Sequence, residues 1–218
     1  MFSVSQQVSL KLFLDNHIFD GMTDKQIKIM VAAIRIFAEK GYANTSTKEI
    51  AKAADVAEGN IFSKFDNKRG LLNAIVNPVI ATLFPETLSQ FSDAKIANHS
   101  TRLHDFIGAM VADRINFVTE NADVMKIFIA EMAYNHQLRD AFRHQFQTTT
   151  AFYTDAITRN LNLLKATQQM VDWRNPEIMR MIWSLVGGLI ISYLFFNQPI
   201  TDHDISHAVD GLTKALSR

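Results

Sequence analysis

The 218-residue chain reads as an all-α protein, with an N-terminal helix-turn-helix domain of three helices and a larger C-terminal helical domain. Glycine and proline are scarce, at 8 and 4 residues, and no segment alternates apolar and polar residues as a half-buried strand does. Apolar residues instead recur three and four apart over long stretches, and the stretch Thr47–Lys68 holds two short periodic segments joined by a tight turn. A hydrophobic content of 48% is enough for one or two domains with a substantial core. The organisation expected is an extension over 1–21, a helix-turn-helix domain over 22–72, and a helical body over 73–218.

Residues 1–21 are apolar at Val8, Leu10, Leu12, Phe13, Leu14, Ile18 and Phe19, but no positive charge leads them and no small-residue cleavage site follows, which argues against a signal peptide. Two readings stay open: translation starts at Met22, or the segment is a short extra helix packed on the body. Thr23 caps the first long helix, Ile27, Val31, Ile34 and Phe37 form its stripe, and Gly41 ends it.

Thr47 is placed to cap the next helix, Thr47–Ala53, with Ile50, Ala51 and Ala54 inward and Glu49 in the first turn, where the helix dipole favours an acid. Ala54-Asp55-Val56 makes the turn, and Asp55 suits a left-handed backbone. A second helix over Ala57–Phe65 turns Val56, Ile61 and Phe65 inward and shows Glu58, Gly59, Asn60, Phe62, Ser63 and Lys64 on its other face. Gly59 lets a backbone approach, Asn60 can bond a base edge, and Lys64 and Lys68 can neutralise phosphates. On spacing alone, a recognition helix in a major groove and two helices of an ordinary bundle both fit.

Asp24–Gly41, followed by Tyr42, Thr45, Thr47, Ile50-Ala51, Ala54-Asp55-Val56, Gly59, Ile61-Phe62, Phe65, Lys68 and Leu71-Leu72, resembles the N-terminal domain of the tetracycline-repressor (TetR) family. The resemblance covers roughly Lys25–Ile75. It implies an all-helical homodimer that regulates transcription, usually as a repressor released by a small ligand. The family's contacts with double-stranded DNA fall on Thr47, Lys48, Gly59, Asn60, Phe62, Ser63, Lys64 and Lys68. The chain departs from the family pattern in four places. Asp55 stands where Gly is usual. Ala57 replaces a capping Ser or Thr, a loss of about 0.5–2 kcal/mol that Glu58 partly offsets through the dipole. Phe62 lacks the hydroxyl of the common Tyr, and Ser63-Lys64 replaces Tyr-His.

The net charge is zero, which excludes a generally basic coat, yet Thr23–Leu72 carries nine Lys/Arg against six Asp/Glu. The absence of cysteine rules out disulfides and thiolate zinc sites and suits a reducing cytoplasm.

Asn67 caps a fourth helix through Leu71, Leu72, Ile75, Val79 and Leu83, with a kink expected at Pro78. Pro85–Ser100 reads as an irregular connection. Helices follow near Thr101–Asn121, Ala122–Tyr134 and Gln137–Leu164. Asn175-Pro176-Glu177 starts another. From Met181 to Phe196 no charge occurs, but this run is shorter than the about 20 residues of a membrane span, so no membrane is expected. A last helix, capped by Thr201 or Asp202, carries Ile205, Ala208, Val209, Leu212 and Leu216. These two helices resemble the family's dimerisation pair, which places Trp183, Gly187, Gly188, Ile191 and Leu212 at a homodimer interface.

Candidate chemistry is sparse. His203, His207 and Asp204 read as a solvent-facing group, and no metal or cofactor site is expected. Asp113-Arg114 and Arg139-Asp140 read as surface ion pairs, and no catalytic constellation is visible. The Phe- and Met-rich middle helices suit a pocket for a hydrophobic or amphipathic ligand, with Phe106, Met110, Phe128, Met132, Phe146 and Tyr153 as its lining and Asn135, His136, Gln145 and Gln147 as further polar anchors. The function expected is a cytoplasmic, non-enzymatic, ligand-responsive DNA-binding regulator. The alternative is an all-α dimeric ligand-binding or interaction module without DNA binding.

Overall fold

The computed structural model describes residues 13–14, 16–80 and 102–218, without the side chains of 145–156. Among the described residues the regular structure is entirely helical: α1 (Asp24–Lys40), α2 (Thr47–Ala53), α3 (Gly59–Phe65), α4 (Lys68–Pro78), α5 (Leu103–Glu120), α6 (Ala122–Tyr134), α7 (His136–Ala166), α8 (Asn175–Phe196) and α9 (Asp202–Leu216). The chain divides into two compact units. The first joins residues 1–85 to 120–146, so α6 and the start of α7 pack with the helix-turn-helix; the second joins 86–119 to 147–218.

In the first unit, α1 is the central post, contacting α2, α3, α4 and α6. It starts with a reciprocal cap: the Gln26 amide donates to Thr23 Oγ1 at 3.4 Å, and the Thr23 amide donates to Gln26 Oε1 at 3.0 Å. Gly41 ends it at φ 83°, a conformation that favours glycine. The stripe is wider than its sequence spacing predicts, because four helices surround α1: Ile29, Met30, Ala33 and Ile36 are buried beside Ile34 and Phe37, while Ile27 and Val31 are half-buried. In the described part of the N-terminal extension, Phe13 and Phe19 are buried while Leu14 is exposed. Phe13 is 0% exposed and its ring stacks on Phe19 at 5.6 Å.

Asn67 caps α4, accepting from the Gly70 amide at 2.9 Å. The α-helix ends at Pro78 and passes into a wider π-type turn at Val79–Ile80, an accommodation of the missing proline donor. The continuation to Leu83 and the connection Pro85–Ser100 lie outside the described residues.

The second unit buries a core of Phe106, Ile107, Met110, Val111 and Ile115 from α5, Leu161 and Leu164 from α7, Ile178, Ile182 and Val186 from α8, and Val209, Leu212 and Leu216 from α9. Thr201 caps α9, so Asp202 does not: the Thr201 amide and hydroxyl both donate to the Asp204 carboxylate, which holds that carboxyl below its ordinary pKa. Arg114 corrects the sequence reading. It is 8% exposed, and its Nε donates to Asp113 Oδ2 at 3.0 Å, so this ion pair belongs to the interior of the unit. Arg139 and Asp140 are not paired with each other. The Arg139 guanidinium closes the end of α6 on the carbonyls of Met132 and Ala133, and Asp140 meets Arg143.

Candidate nucleic-acid interface

The interface starts from two helices of seven residues, each too short to persist alone. What holds them is a set of bonds around their ends. Ser46, not Thr47, caps α2, accepting from the Glu49 amide at 3.2 Å. The capping residue has to be extended, and Ser46 is, at φ −106° and ψ 153°, while Thr47 is already helical. Asp55 does adopt the left-handed backbone, with φ 54°.

Helix α3 begins later than expected. Regular α-helix starts at Gly59, and the preceding turn is tighter, with the Asn60 and Ile61 amides donating to the carbonyls of Ala57 and Glu58 at 3.0 and 2.9 Å. No side chain caps this end. Ala57 cannot, and Glu58 is engaged elsewhere: the Thr47 hydroxyl donates to Glu58 Oε1 at 2.6 Å, tying the starts of α2 and α3 together. Ile61 and Phe65 are buried, and Phe62, 46% exposed, stands outward with Ser63 and Lys64.

A second clasp closes the far side. The Lys68 ammonium donates to the carbonyls of Tyr42 and Thr45 at 2.9 and 2.7 Å and lies 4.4 Å from the centre of the Tyr42 ring. The side chain foreseen as a phosphate contact is therefore bound to the loop that leads into α2. Next to it, Arg69 reaches Gln137 Oε1 at 3.5 Å. Glu131 on α6 feels both Arg69 and Lys68, yet its burial outweighs them and holds its carboxyl above the ordinary value. Burial likewise raises the Tyr42 phenol.

Gly70 is the residue that sequence reasoning missed. A Cβ there would stand 1.9 Å from the Phe65 carbonyl oxygen, so only glycine lets the first turn of α4 meet the end of α3 this closely. The available signal was a glycine inside a helix that otherwise has no reason to accept one.

The expected DNA-facing residues divide accordingly. Lys48, Gly59, Phe62, Ser63 and Lys64 are exposed; Asn60 and Thr47 are half-buried, and the Asn60 amide donates to the Ala57 carbonyl at 3.0 Å. The remaining candidates are less assembled. Phe106 and Met110 are core residues of the second unit, whereas Phe128 and Met132 lie in the first, where Phe128 meets Phe142 edge to face at 5.5 Å. The Phe146 and Tyr153 side chains, with Gln145 and Gln147, lie outside the described ones. At the expected homodimer face, Trp183 and Ile191 are 38% and 39% exposed, and no atom lies within 4 Å of a Cβ built on Gly187 or Gly188. Leu212 is 1% exposed and packs in the core of its own unit, and its neighbours Gly211 and Ala215 are exposed. Together with Arg180, Met181, Ser184 and Leu185 they border an open groove of 610 Å³. The His203 and His207 rings lie 3.8 Å apart, and no cluster of three metal-ligating side chains occurs among the described residues.

Residues 29–75 match the family described as bacterial regulatory proteins, tetR family. Over 50 residues the chain is 46% identical to the HTH-type transcriptional regulator YvkB of Bacillus subtilis, a match that covers 23% of this chain and 26% of that protein. The chain thus spans about a quarter of that relative's length. Among solved structures, a tetR-family bacterial regulatory protein from Rhodococcus superposes with a TM-score of 0.66 at 19% identity, over 90% of this chain and 98% of that one. The SmeT–triclosan complex, from Stenotrophomonas maltophilia, superposes with a TM-score of 0.60 at 22% identity, over 90% and 93%. These structural likenesses show the fold.

Proposed function

Because the chain belongs to the tetR family of bacterial regulatory proteins, we propose that it represses transcription as a homodimer on a palindromic operator and is released by a hydrophobic or amphipathic ligand. The observation that carries this reading is the contrast around α3. Its neighbours are fastened by Ser46, Thr47, Asn67 and Lys68, while Phe62, Ser63 and Lys64 project outward. A rigid frame presenting a few free side chains is what base readout needs.

Lys48 and Lys64 serve as phosphate contacts. Phe62 offers an apolar surface to a thymine methyl, and Gly59 lets the sugar-phosphate chain come near. Lys68 acts on DNA through the loop it holds. The homodimer covers the exposed face of α8 around Trp183, Gly187, Gly188 and Ile191. Helix α8 has 22 residues and a mean hydropathy of 1.7, enough to cross a membrane by length and composition. Its inner stripe, however, is committed to a core shared with α5 and α9, which favours a second copy on the outer stripe. The triclosan complex of SmeT supports a hydrophobic ligand. A cytoplasmic location and a purely binding role follow from the same reading.

The test is a mobility shift of the purified chain on DNA flanking its own gene, across a salt series. A discrete, salt-sensitive complex of dimer size that outcompetes random DNA is expected. Absence of any complex at low salt, with the protein folded, overturns the reading in favour of a dimeric module that does not bind DNA.

A further inference from the structure

Helix α3 has a carboxylate at its start, and among the described residues that carboxylate has no cation. Glu58 sits at φ −57° and ψ −31°, its side chain makes no capping bond to its own helix, and it is absent from the ion pairs among the described residues. The one hydrogen bond to its carboxylate among the described residues comes from the Thr47 hydroxyl, on Oε1, which leaves Oε2 as an unused acceptor. It lies one helical turn before the exposed Phe62, on the same stripe.

Beside phosphates such a group is repelled, and a hydrogen-bond donor on the DNA has to offset that. In the major groove only two bases offer donors, cytosine through N4 and adenine through N6. Adenine places its N7 acceptor beside N6, which repels a second carboxylate oxygen; cytosine has no acceptor there. The uncharged polar side chains of α3 are already engaged, the Asn60 side-chain amide with the Ala57 carbonyl and the Ser63 hydroxyl with the Asn60 carbonyl.

We propose that Glu58 is a base-reading residue that selects cytosine through its N4 amino group, held in register by the Thr47 hydroxyl. Thr47 is then a positioning residue whose proton is spent on Glu58. The proposal rests on the DNA-binding reading above and adds the identity of one base in each half-site.

The experiment is selection from a randomised duplex library followed by sequencing, with the full-length wild type, E58Q, T47V and T47S. The wild type is expected to enrich cytosine at one position of each half-site. E58Q, which replaces one acceptor oxygen with a donor, should cut that preference about tenfold at this position alone while binding random DNA more tightly. T47V should weaken the same preference and T47S restore it, with melting temperatures reporting that all four chains fold. Position-specific preferences unchanged in E58Q overturn the assignment of Glu58 and leave the regulator intact. A folded wild type that enriches no sequence overturns the regulator reading itself.

Discussion

The helix-turn-helix and the α8–α9 pair are both two-helix arrangements set against a core, and they differ in what they leave open. Around α2 and α3, the ends are tied by hydrogen bonds that reach 11, 23 and 26 residues along the chain, from Thr47 to Glu58 and from Lys68 to Thr45 and Tyr42. Around α8, the outer face shows Trp183, Leu185, Ile191, Phe195 and Phe196 to solvent, with Gly187 and Gly188, where an added Cβ would meet open space. The first region is complete within one chain and presents a few side chains. The second presents an unfinished apolar surface, which is the mark of an interface.

The largest expected effect tests how complete the first region is. In G70A the new methyl collides with the Phe65 carbonyl at 1.9 Å, and backbone has to move. In an unconstrained helix this substitution stabilises by up to about 1 kcal/mol; here a loss of about 3 kcal/mol or more is expected, with DNA binding abolished. Urea unfolding monitored by circular dichroism checks it. A variant as stable as wild type shows that α3 and α4 are not locked together.

Next comes the open face. I191D puts a charge where the second copy is proposed to sit, and about a hundredfold weaker dimerisation is expected, read by analytical ultracentrifugation. Operator affinity should fall in parallel, because a palindrome needs two linked recognition helices. The outward position of Ile191 makes loss of the monomer fold a poor explanation, and an unchanged melting temperature at high dilution verifies that. A dimer untouched by I191D places the interface elsewhere.

The two regions were unequally legible before any coordinates. The caps of α1 and α4, the left-handed Asp55 and the bounds of α6 follow from local rules, in which one side chain acts on backbone within four residues, and the cap of α9 was one of two residues they allowed. Spacing also placed α3 correctly to within two residues. What escaped were contacts that depend on folding back: Lys68 on the loop at Tyr42–Thr45, Thr47 on Glu58 and Gly70 against Phe65; the pairing of Arg114 with its neighbour was foreseen, but its burial depends on the packing around it. A lysine meant for phosphate and one meant for a carbonyl look alike in one dimension. The burial of Leu212 was hard to foresee for a related reason: it lies one residue from the exposed Gly211, and a rotation of about 100° per residue separates core from surface.

A smaller effect separates the lysines. K64A should lower the slope of log affinity against log salt by about 0.9 per recognition helix and leave stability unchanged, because Lys64 is exposed. K68A should keep the slope and lower stability by about 1–3 kcal/mol, because two carbonyls lose a charged donor. The reverse pattern returns Lys68 to the phosphates.

The smallest effect lies where α6 meets the loop and α4. Burial raises the Glu131 carboxyl despite the attraction of Arg69 and Lys68. A carboxyl with a raised folded pKa contributes stability below its unfolded value, and that contribution is lost as pH rises through the folded one. At neutral pH the ionised Glu131 is therefore a small net cost. E131Q should be slightly more stable than wild type at pH 7, by under about 1 kcal/mol for a group only half-buried. That advantage should shrink as pH falls towards the ordinary glutamate range, where the wild-type carboxyl becomes neutral as well. Denaturation midpoints of the two proteins between pH 4 and pH 8 measure the difference. If E131Q is the weaker protein at pH 7, attraction outweighs burial, and this joint is an ion cluster that holds α6 against the helix-turn-helix.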